Sequence, residues 1–93
     1  MKTEKFDSVW DAIEDTTEAA ENMKLRSELM MALKKNILRT SMSQAQAAKL
    51  FGVTQPRISD LLRGKINLFS LDALVNIATM AGLHIQIRIT EAA

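Results

Sequence analysis

Residues 44–64 read QAQAAKLFGVTQPRISDLLRG, and the capping and turn residues of this region predict two short helices joined by a tight turn. Ser43 and Gln46 fit a capping box that begins the first helix, which continues through Phe51. Gly52 comes next, and glycine takes the positive φ of a tight turn without a steric penalty. This stretch therefore predicts a helical pair, from which the rest of the chain can be placed.

The second helix of the pair has its own start and stop signals. Thr54 is a good N-cap, and Pro56 falls at the second helical position, where a missing N–H breaks no intrahelical bond. Gly64 is a natural residue to follow a helix C-terminus. These signals predict that the helix ends at Gly64.

Small and apolar residues lie where two steeply crossing helices would meet. Ala48 is small enough for the close approach, Gly52 makes the bend, and Ile58 fills the wedge between the helices. Further apolar residues fall on the predicted inner face: Ala47, Phe51, Val53 and Leu61. A plain helical hairpin and a helix-turn-helix motif share these features.

The outer face of the second helix favours the helix-turn-helix motif over a plain hairpin. It is polar and has mostly short side chains: Gln55, Arg57, Ser59 and Asp60. Gln55 and Arg57 are in the first turn, from which recognition helices present side chains to base edges. Because glutamine can bind adenine and arginine can bind guanine with two hydrogen bonds, this face is suited to reading DNA.

Other helices are predicted on both sides of the motif. A capping box at Ser8 begins a short helix through residue 14, and a long helix then runs to about Thr40. No Gly or Pro lies between them, so the alternative is one fused helix. The apolar stripe of the long helix consists of Leu25, Leu29, Leu33 and Ile37, widened by Met30 and Leu38. Ser70 caps a last helix, which Gly82 closes.

Residues 84–90, HIQIRIT, alternate polar and apolar side chains and so predict a strand. No other segment of the chain has a strand pattern, and a lone strand leaves its backbone groups unpaired. The simplest partner is the same strand of a second copy, with Ile85, Ile87 and Ile89 on one face of the pair. The alternative is a frayed tail that packs on the helices of its own chain.

The net charge of +1 conceals a strong asymmetry along the chain. Residues 1–22 contain two basic and seven acidic side chains, a net charge of −5. Residues 23–65 contain nine basic and two acidic side chains, a net charge of +7, and residues 66–93 have a net charge of −1. This asymmetry indicates two different partner surfaces. The alternative is that exposed helix faces need charges and that these charges cluster by chance.

The segment from Ser43 to Lys65 resembles the Cro/repressor-type (XRE) helix-turn-helix family. The resemblance implies an all-α, five-helix, lambda-repressor-like domain that binds DNA. This domain would occupy residues 23–83, after an acidic segment over residues 1–22 and before a dimerisation strand over residues 84–93.

Three flanking segments are similar to the HigA-like antitoxin branch of that family: residues 8–13 (SVWDAI), 23–29 (MKLRSEL) and 68–72 (LFSLD). Members of that branch repress their own operon and neutralise a RelE-like ribonuclease toxin. The resemblance therefore implies a cytoplasmic homodimer that binds a palindromic operator and a basic toxin.

Carried over by position, the family's DNA contacts fall on the motif and on the loop after it. Gln55 and Arg57 would face base edges. The residues that would contact phosphate or support those contacts are Gln44, Thr54, Ser59, Arg63, Lys65 and Asn67. Pro56 lies where many relatives have a polar side chain that contacts a base, so one base contact is expected to be missing.

An apolar ridge lies among the acidic residues near the start of the chain and consists of Phe6, Val9, Trp10 and Ile13. The ridge either packs the first helix onto the long helix or anchors the segment in a groove of a partner, and the two roles can alternate. Aromatic side chains dominate interface hot spots, and the −5 segment would attract a basic toxin.

No catalytic, cofactor or metal motif is present. The chain has one histidine, His84, and no cysteine, which excludes an imidazole pair and thiolate metal sites. No stretch approaches the length of a membrane span, and residues 1–8 contain no apolar run of a signal peptide. We therefore expect no enzymatic activity, no cofactor, no metal and no membrane association.

Two other functions also fit these patterns. One is a protein-interaction module that inhibits a partner protein without binding DNA. The other is a stand-alone phage-type repressor.

Overall fold

The computed structural model describes residues 16–91 of the chain. Four α-helices and one short 3-10 helix follow each other: α1 (Thr17–Thr40), α2 (Gln44–Phe51), α3 (Gln55–Leu62), the 3-10 helix (Ile66–Leu68) and α4 (Leu71–Met80). The all-α prediction is confirmed for these residues. The helix predicted over residues 8–14 lies outside them, so the count of five helices stays a prediction.

Helix α1 begins where a threonine hydroxyl caps its first turn. Thr16 has an extended backbone (φ −111°, ψ 149°), and its Oγ1 accepts a hydrogen bond from the Ala19 amide at 3.0 Å. Helix α1 ends at Thr40, and its C-cap, Ser41, has a left-handed backbone (φ 57°, ψ 25°). A side chain disfavours that conformation, and the Ser41 amide donates to the Leu38 carbonyl at 3.3 Å.

The buried stripe of α1 differs from the prediction at its edges. The buried residues are Met23, Met30, Leu33, Asn36 and Ile37. The prediction is wrong for Leu25 and Leu38, which are 39% and 68% exposed. A row of residues spaced by four rotates about 40° around a helix at each step. Leu25 is two steps from Leu33 and therefore reaches the rim of the buried face.

The core forms between the first and last helices and the motif. Helix α1 lies against α4 and also contacts α3 and the 3-10 helix, while α2 packs against α3 and α4. The largest fully buried side chains are Phe69, Leu33, Ile58, Leu61 and Leu74. They come from α1, α3, α4 and the loop before α4, so α3 is fixed from several sides.

The segment after α4, residues 83–91, contains neither helix nor strand in the single chain. Leu83 and Ile85 pack against the core, whereas Ile87 is 69% exposed and Ile89 is 90% exposed. The strand predicted over residues 84–90 requires a second copy, so it stays a prediction. Across residues 16–91, every helix is too short or too polar to span a bilayer.

Candidate nucleic-acid interface

Helix α2 begins with the capping box that the sequence predicts. The Gln46 amide donates to Ser43 Oγ at 3.1 Å, and the Ser43 amide donates to Gln46 Oε1 at 2.8 Å. Two amides at the helix start are thereby satisfied, and Gln44 becomes the first residue of a fixed helix N-terminus. Its exposed side chain lies where the helix dipole favours an anion.

The turn between α2 and α3 depends on the backbone of Gly52. This glycine has φ 73° and ψ 31°, as predicted. A Cβ built on it would meet no atom within 4 Å, so the requirement is conformational rather than steric. The Val53 amide donates to the Ala48 carbonyl at 3.0 Å and closes the end of α2.

Thr54 sets the start of α3, the helix in the position of a recognition helix. Its Oγ1 accepts a hydrogen bond from the Arg57 amide at 3.4 Å, and its backbone is extended (φ −79°, ψ 159°). Pro56 lies in the first turn, as predicted. The hydroxyl hydrogen of Thr54 is not needed for this cap and can point outwards to an acceptor such as phosphate.

The residues predicted to lie between α2 and α3 are buried. Ile58 is 1% exposed and Ala48 is 7% exposed, which confirms the wedge and the close approach. Ala47, Phe51 and Leu61 are buried with them, and Val53 packs at the edge. Because the inner face is filled by apolar side chains, the polar residues of α3 are directed outwards.

One open groove is lined by Gln55, Pro56 and Ser59 of α3 together with Gln44 of α2. Ser59 is half-buried and the other three are exposed. The structure thus brings together a predicted base-reading residue, Gln55, and two predicted phosphate or supporting residues, Gln44 and Ser59. Pro56 adds an apolar surface between them.

The loop after α3 contains further predicted contact residues. Lys65 and Asn67 are exposed, as is Arg63 at the end of α3. Lys65 Nζ lies 3.8 Å from Asp60 Oδ1, and the two side chains are 48% and 26% exposed. Since an exposed ion pair contributes about 0–1 kcal/mol, a phosphate can compete for this lysine.

Arg57 has partners inside the chain. Its Nη1 donates to the Leu68 carbonyl at 2.8 Å, and its guanidinium carbon lies 4.1 Å from the centre of the Phe69 ring. The side chain is half-buried. In the DNA-free chain the guanidinium is therefore held by two contacts within its own chain.

Sequence reasoning missed two residues that shape this region, Arg26 and Phe69. Phe69 is 1% exposed and lies beneath Arg57. Arg26 Nη1 donates to the carbonyls of Ile66 and Phe69, both at 3.3 Å. A signal for Arg26 was present, because it lies three residues after Met23 on the buried side of α1.

The remaining predicted positions lie away from this face or outside the described residues. Ile85, Ile87 and Ile89 belong to the segment after α4, and the ridge of Phe6, Val9, Trp10 and Ile13 falls outside residues 16–91. Between residues 16 and 91, no group of three or more acidic, histidine or cysteine side chains is arranged to hold a metal ion.

Comparison with known proteins agrees with this geometry. A family model described as a helix-turn-helix domain matches residues 12–90 of the chain. No curated protein matches the chain. A solved structure described as an XRE-family transcriptional regulator is 32% identical in sequence, with a TM-score of 0.72. That match covers 78% of this chain and 82% of the other. The fold, the capped helix pair and these similarities place the chain in the XRE-type helix-turn-helix family of transcriptional regulators.

Proposed function

We propose that this protein is a sequence-specific DNA-binding repressor that inserts α3 into the major groove of its operator. The observation that carries the proposal is the open groove lined by Gln44, Gln55, Pro56 and Ser59, at the exposed start of a capped recognition helix. Gln55 is the residue we assign to a base edge, because its amide can form two hydrogen bonds with adenine.

The contacts that set affinity are assigned to phosphates. Gln44 lies at the α2 N-terminus, Thr54 at the α3 N-terminus, and Lys65 and Asn67 in the loop after α3. Ser59 on α3 and Arg63 at its C-cap support them. Contacts of this kind position the protein on DNA and make binding depend on salt, while base contacts set sequence preference.

Binding to operator and random duplex over a range of salt concentrations tests this function. We expect operator affinity to exceed random affinity and both affinities to fall steeply as salt rises. An interaction module that does not bind DNA would show no such dependence. Salt-insensitive or undetectable binding to every duplex would contradict the proposal.

Two substitutions separate base reading from phosphate contact. Gln55→Ala should weaken operator binding by roughly 1–3 kcal/mol and relax the preference at one base pair. Lys65→Ala should weaken all duplexes alike and reduce the salt slope by about one. Lys24→Ala is the charge-matched control, because this exposed lysine lies on α1.

We further propose that the repressor is a homodimer paired through residues 84–90, and that its operator is palindromic. The isoleucines of this segment support the pairing, since Ile87 and Ile89 are exposed in the single chain. An open apolar groove next to them is lined by Leu25, Val75 and Ile87, among others, and a second copy would cover it. Two copies related by a two-fold axis would present two α3 helices to two half-sites.

We also propose a toxin partner, because the N-terminal segment is strongly acidic. Residues 1–22 have a net charge of −5 and include the apolar ridge of Phe6, Val9, Trp10 and Ile13. A basic RelE-like ribonuclease would be attracted by the charge and anchored by the aromatic residues. This would make the protein the antitoxin of a toxin–antitoxin pair that represses its own operon.

Deletion of residues 1–14 tests the toxin assignment. Binding to a short basic protein encoded by the neighbouring reading frame should be abolished, while operator binding is retained. If the shortened chain still inhibits that protein, the ridge is not the anchor. If no basic protein is encoded nearby, the stand-alone repressor is favoured.

A further inference from the structure

Two arginines from different helices hold the short segment Ile66–Phe69, which connects α3 to α4. Arg26 reaches it from α1 and Arg57 reaches it from α3. Three of its four backbone carbonyls, those of Ile66, Leu68 and Phe69, accept a hydrogen bond from one of these side chains.

The guanidinium of Arg26 is fixed on both sides. Its Nη1 donates to the carbonyls of Ile66 and Phe69 at 3.3 Å each, and its Nε donates to Asn22 Oδ1 at 2.6 Å. Asn22 is one turn earlier on the same helix, so it sets the direction of the guanidinium plane. A planar group with several fixed donors can satisfy this arrangement, whereas a lysine ammonium acts as a single point charge.

The guanidinium of Arg57 is fixed by a different pair of contacts. It donates to the Leu68 carbonyl at 2.8 Å and lies over the Phe69 ring at 4.1 Å. Phe69 is 1% exposed and cannot move without opening the core. Because the face of an aromatic ring attracts a cation, Arg57 joins the start of α3 to the end of the loop.

The segment needs such support because its own capping is incomplete. The 3-10 helix has no side-chain hydrogen bond at its N-cap, Lys65, and it is only three residues long. It nevertheless contains Asn67 and directly follows Lys65, the two loop residues proposed to contact phosphate. The carbonyl contacts therefore hold in place the backbone from which both side chains extend.

We propose that Arg26 and Arg57 are positioning residues that fix the Lys65–Asn67 loop for phosphate contact, and that Arg57 acts in this way rather than by reading a base. The role rests on the proposed DNA-binding function. Through Arg26, α1 influences operator affinity, because this side chain holds two carbonyls of the loop segment.

Substitution of Arg26 by lysine tests the proposal while the charge is kept. In the DNA-free protein, amide hydrogen exchange at residues 66–69 should become faster in Arg26→Lys than in the wild type. Operator affinity should fall by roughly five- to tenfold, which corresponds to the net contribution of about one hydrogen bond. Lys24→Ala is the control, and it should change neither measurement. Arg26→Lys is compared only at a temperature at which thermal melting shows it fully folded.

A double-mutant cycle distinguishes positioning from direct contact with DNA. If Arg26 acts through the loop, Arg26→Lys should add little to the effect of a Lys65→Ala, Asn67→Ala double variant. If the effects add fully, Arg26 contacts DNA by itself and the proposal fails. Unchanged hydrogen exchange, or faster exchange with unchanged operator affinity, would also overturn it.

The same logic applies to Arg57→Ala. A positioning role weakens binding to all operator variants alike and leaves the preferred sequence unchanged. Relaxed preference at one base pair would overturn the role and assign Arg57 to a base. Failure of the DNA-binding function itself would appear in the wild type, as undetectable binding to any duplex, before a variant is compared.

Discussion

The helix-turn-helix motif and the segment after α4 are both encoded by short regular patterns, yet only the motif forms its structure within one chain. In the motif, residues 43–64 supply their own caps and turn, and the inner face is buried. In residues 83–91, the alternating pattern is equally clear, but the chain is neither helix nor strand and Ile89 is 90% exposed.

The difference lies in where the backbone hydrogen bonds go. A helix satisfies most of its amides and carbonyls within the same segment, so its sequence signals are sufficient. A strand satisfies them on a neighbour, and the single chain offers none to residues 84–90. A strand pattern can therefore be correct for a dimer although the single chain forms no strand there.

The largest effect is expected from Ile58→Ala, which removes the wedge of the motif. Ile58 is 1% exposed, and the cavity left by its side chain should lower the free energy of unfolding by about 2–5 kcal/mol. Leu38→Ala is the control, because Leu38 is 68% exposed and should change stability by less than about 0.5 kcal/mol. Urea denaturation measures both. Equal effects would contradict the burial of Ile58.

An intermediate effect is expected from proline in the segment after α4. Successive N–H groups of a strand point to opposite edges, so either Ile87→Pro or Gln86→Pro must remove a bond of the proposed dimer ladder. That variant should weaken the dimer by about 2 kcal/mol, or roughly thirtyfold in dissociation constant. Sedimentation equilibrium measures this weakening.

The fold of the single chain should tolerate both prolines, because Ile87 is 69% exposed and lies outside the helices. Helical circular dichroism and the urea midpoint at a concentration where the wild type is monomeric serve as controls. A dimer dissociation constant unchanged from the wild type in both variants would count against pairing through this segment.

The smallest effect is expected from Ser43→Ala, which removes one side of the capping box. The Gln46 amide loses its acceptor, and the free energy of unfolding should fall by about 1 kcal/mol. Thr90→Ala in the segment after α4 is the control, since Thr90 is exposed and caps no helix. A loss of stability in Thr90→Ala as large as in Ser43→Ala would mean that local capping does not explain the difference between the two regions.

Local signals explain which parts of the fold could be predicted. The caps at Ser43, Thr54 and Ser70 and the positive φ of Gly52 all occur as expected, because each depends on residues within one turn. The stripe of α1 was only partly predicted. Which apolar residues of a helix are covered depends on the elements packed against it, and Leu38 has none.

The same distinction between local signals and contacts with distant residues applies to the candidate site. The outer face of α3 with Gln55 and Ser59 could be predicted, because a cap and a wedge fix it. The groove that this face forms with Gln44 was not predicted. The contacts of Arg57 with Leu68 and Phe69 could not be predicted, because they join residues eleven or more positions apart. The contacts of Arg26 join residues forty or more positions apart, so no local sequence pattern indicates its partners.

The pairing of α1 with α4 has a consequence for the synthesis of the protein. The first long helix leaves the ribosome well before the helix that covers it, and roughly 40 residues separate Leu33 from Leu74. At about 5–20 residues per second, that interval lasts roughly 2–8 s. During this time the apolar row of α1 has no α4 to cover it, so chaperones and proteases can bind it.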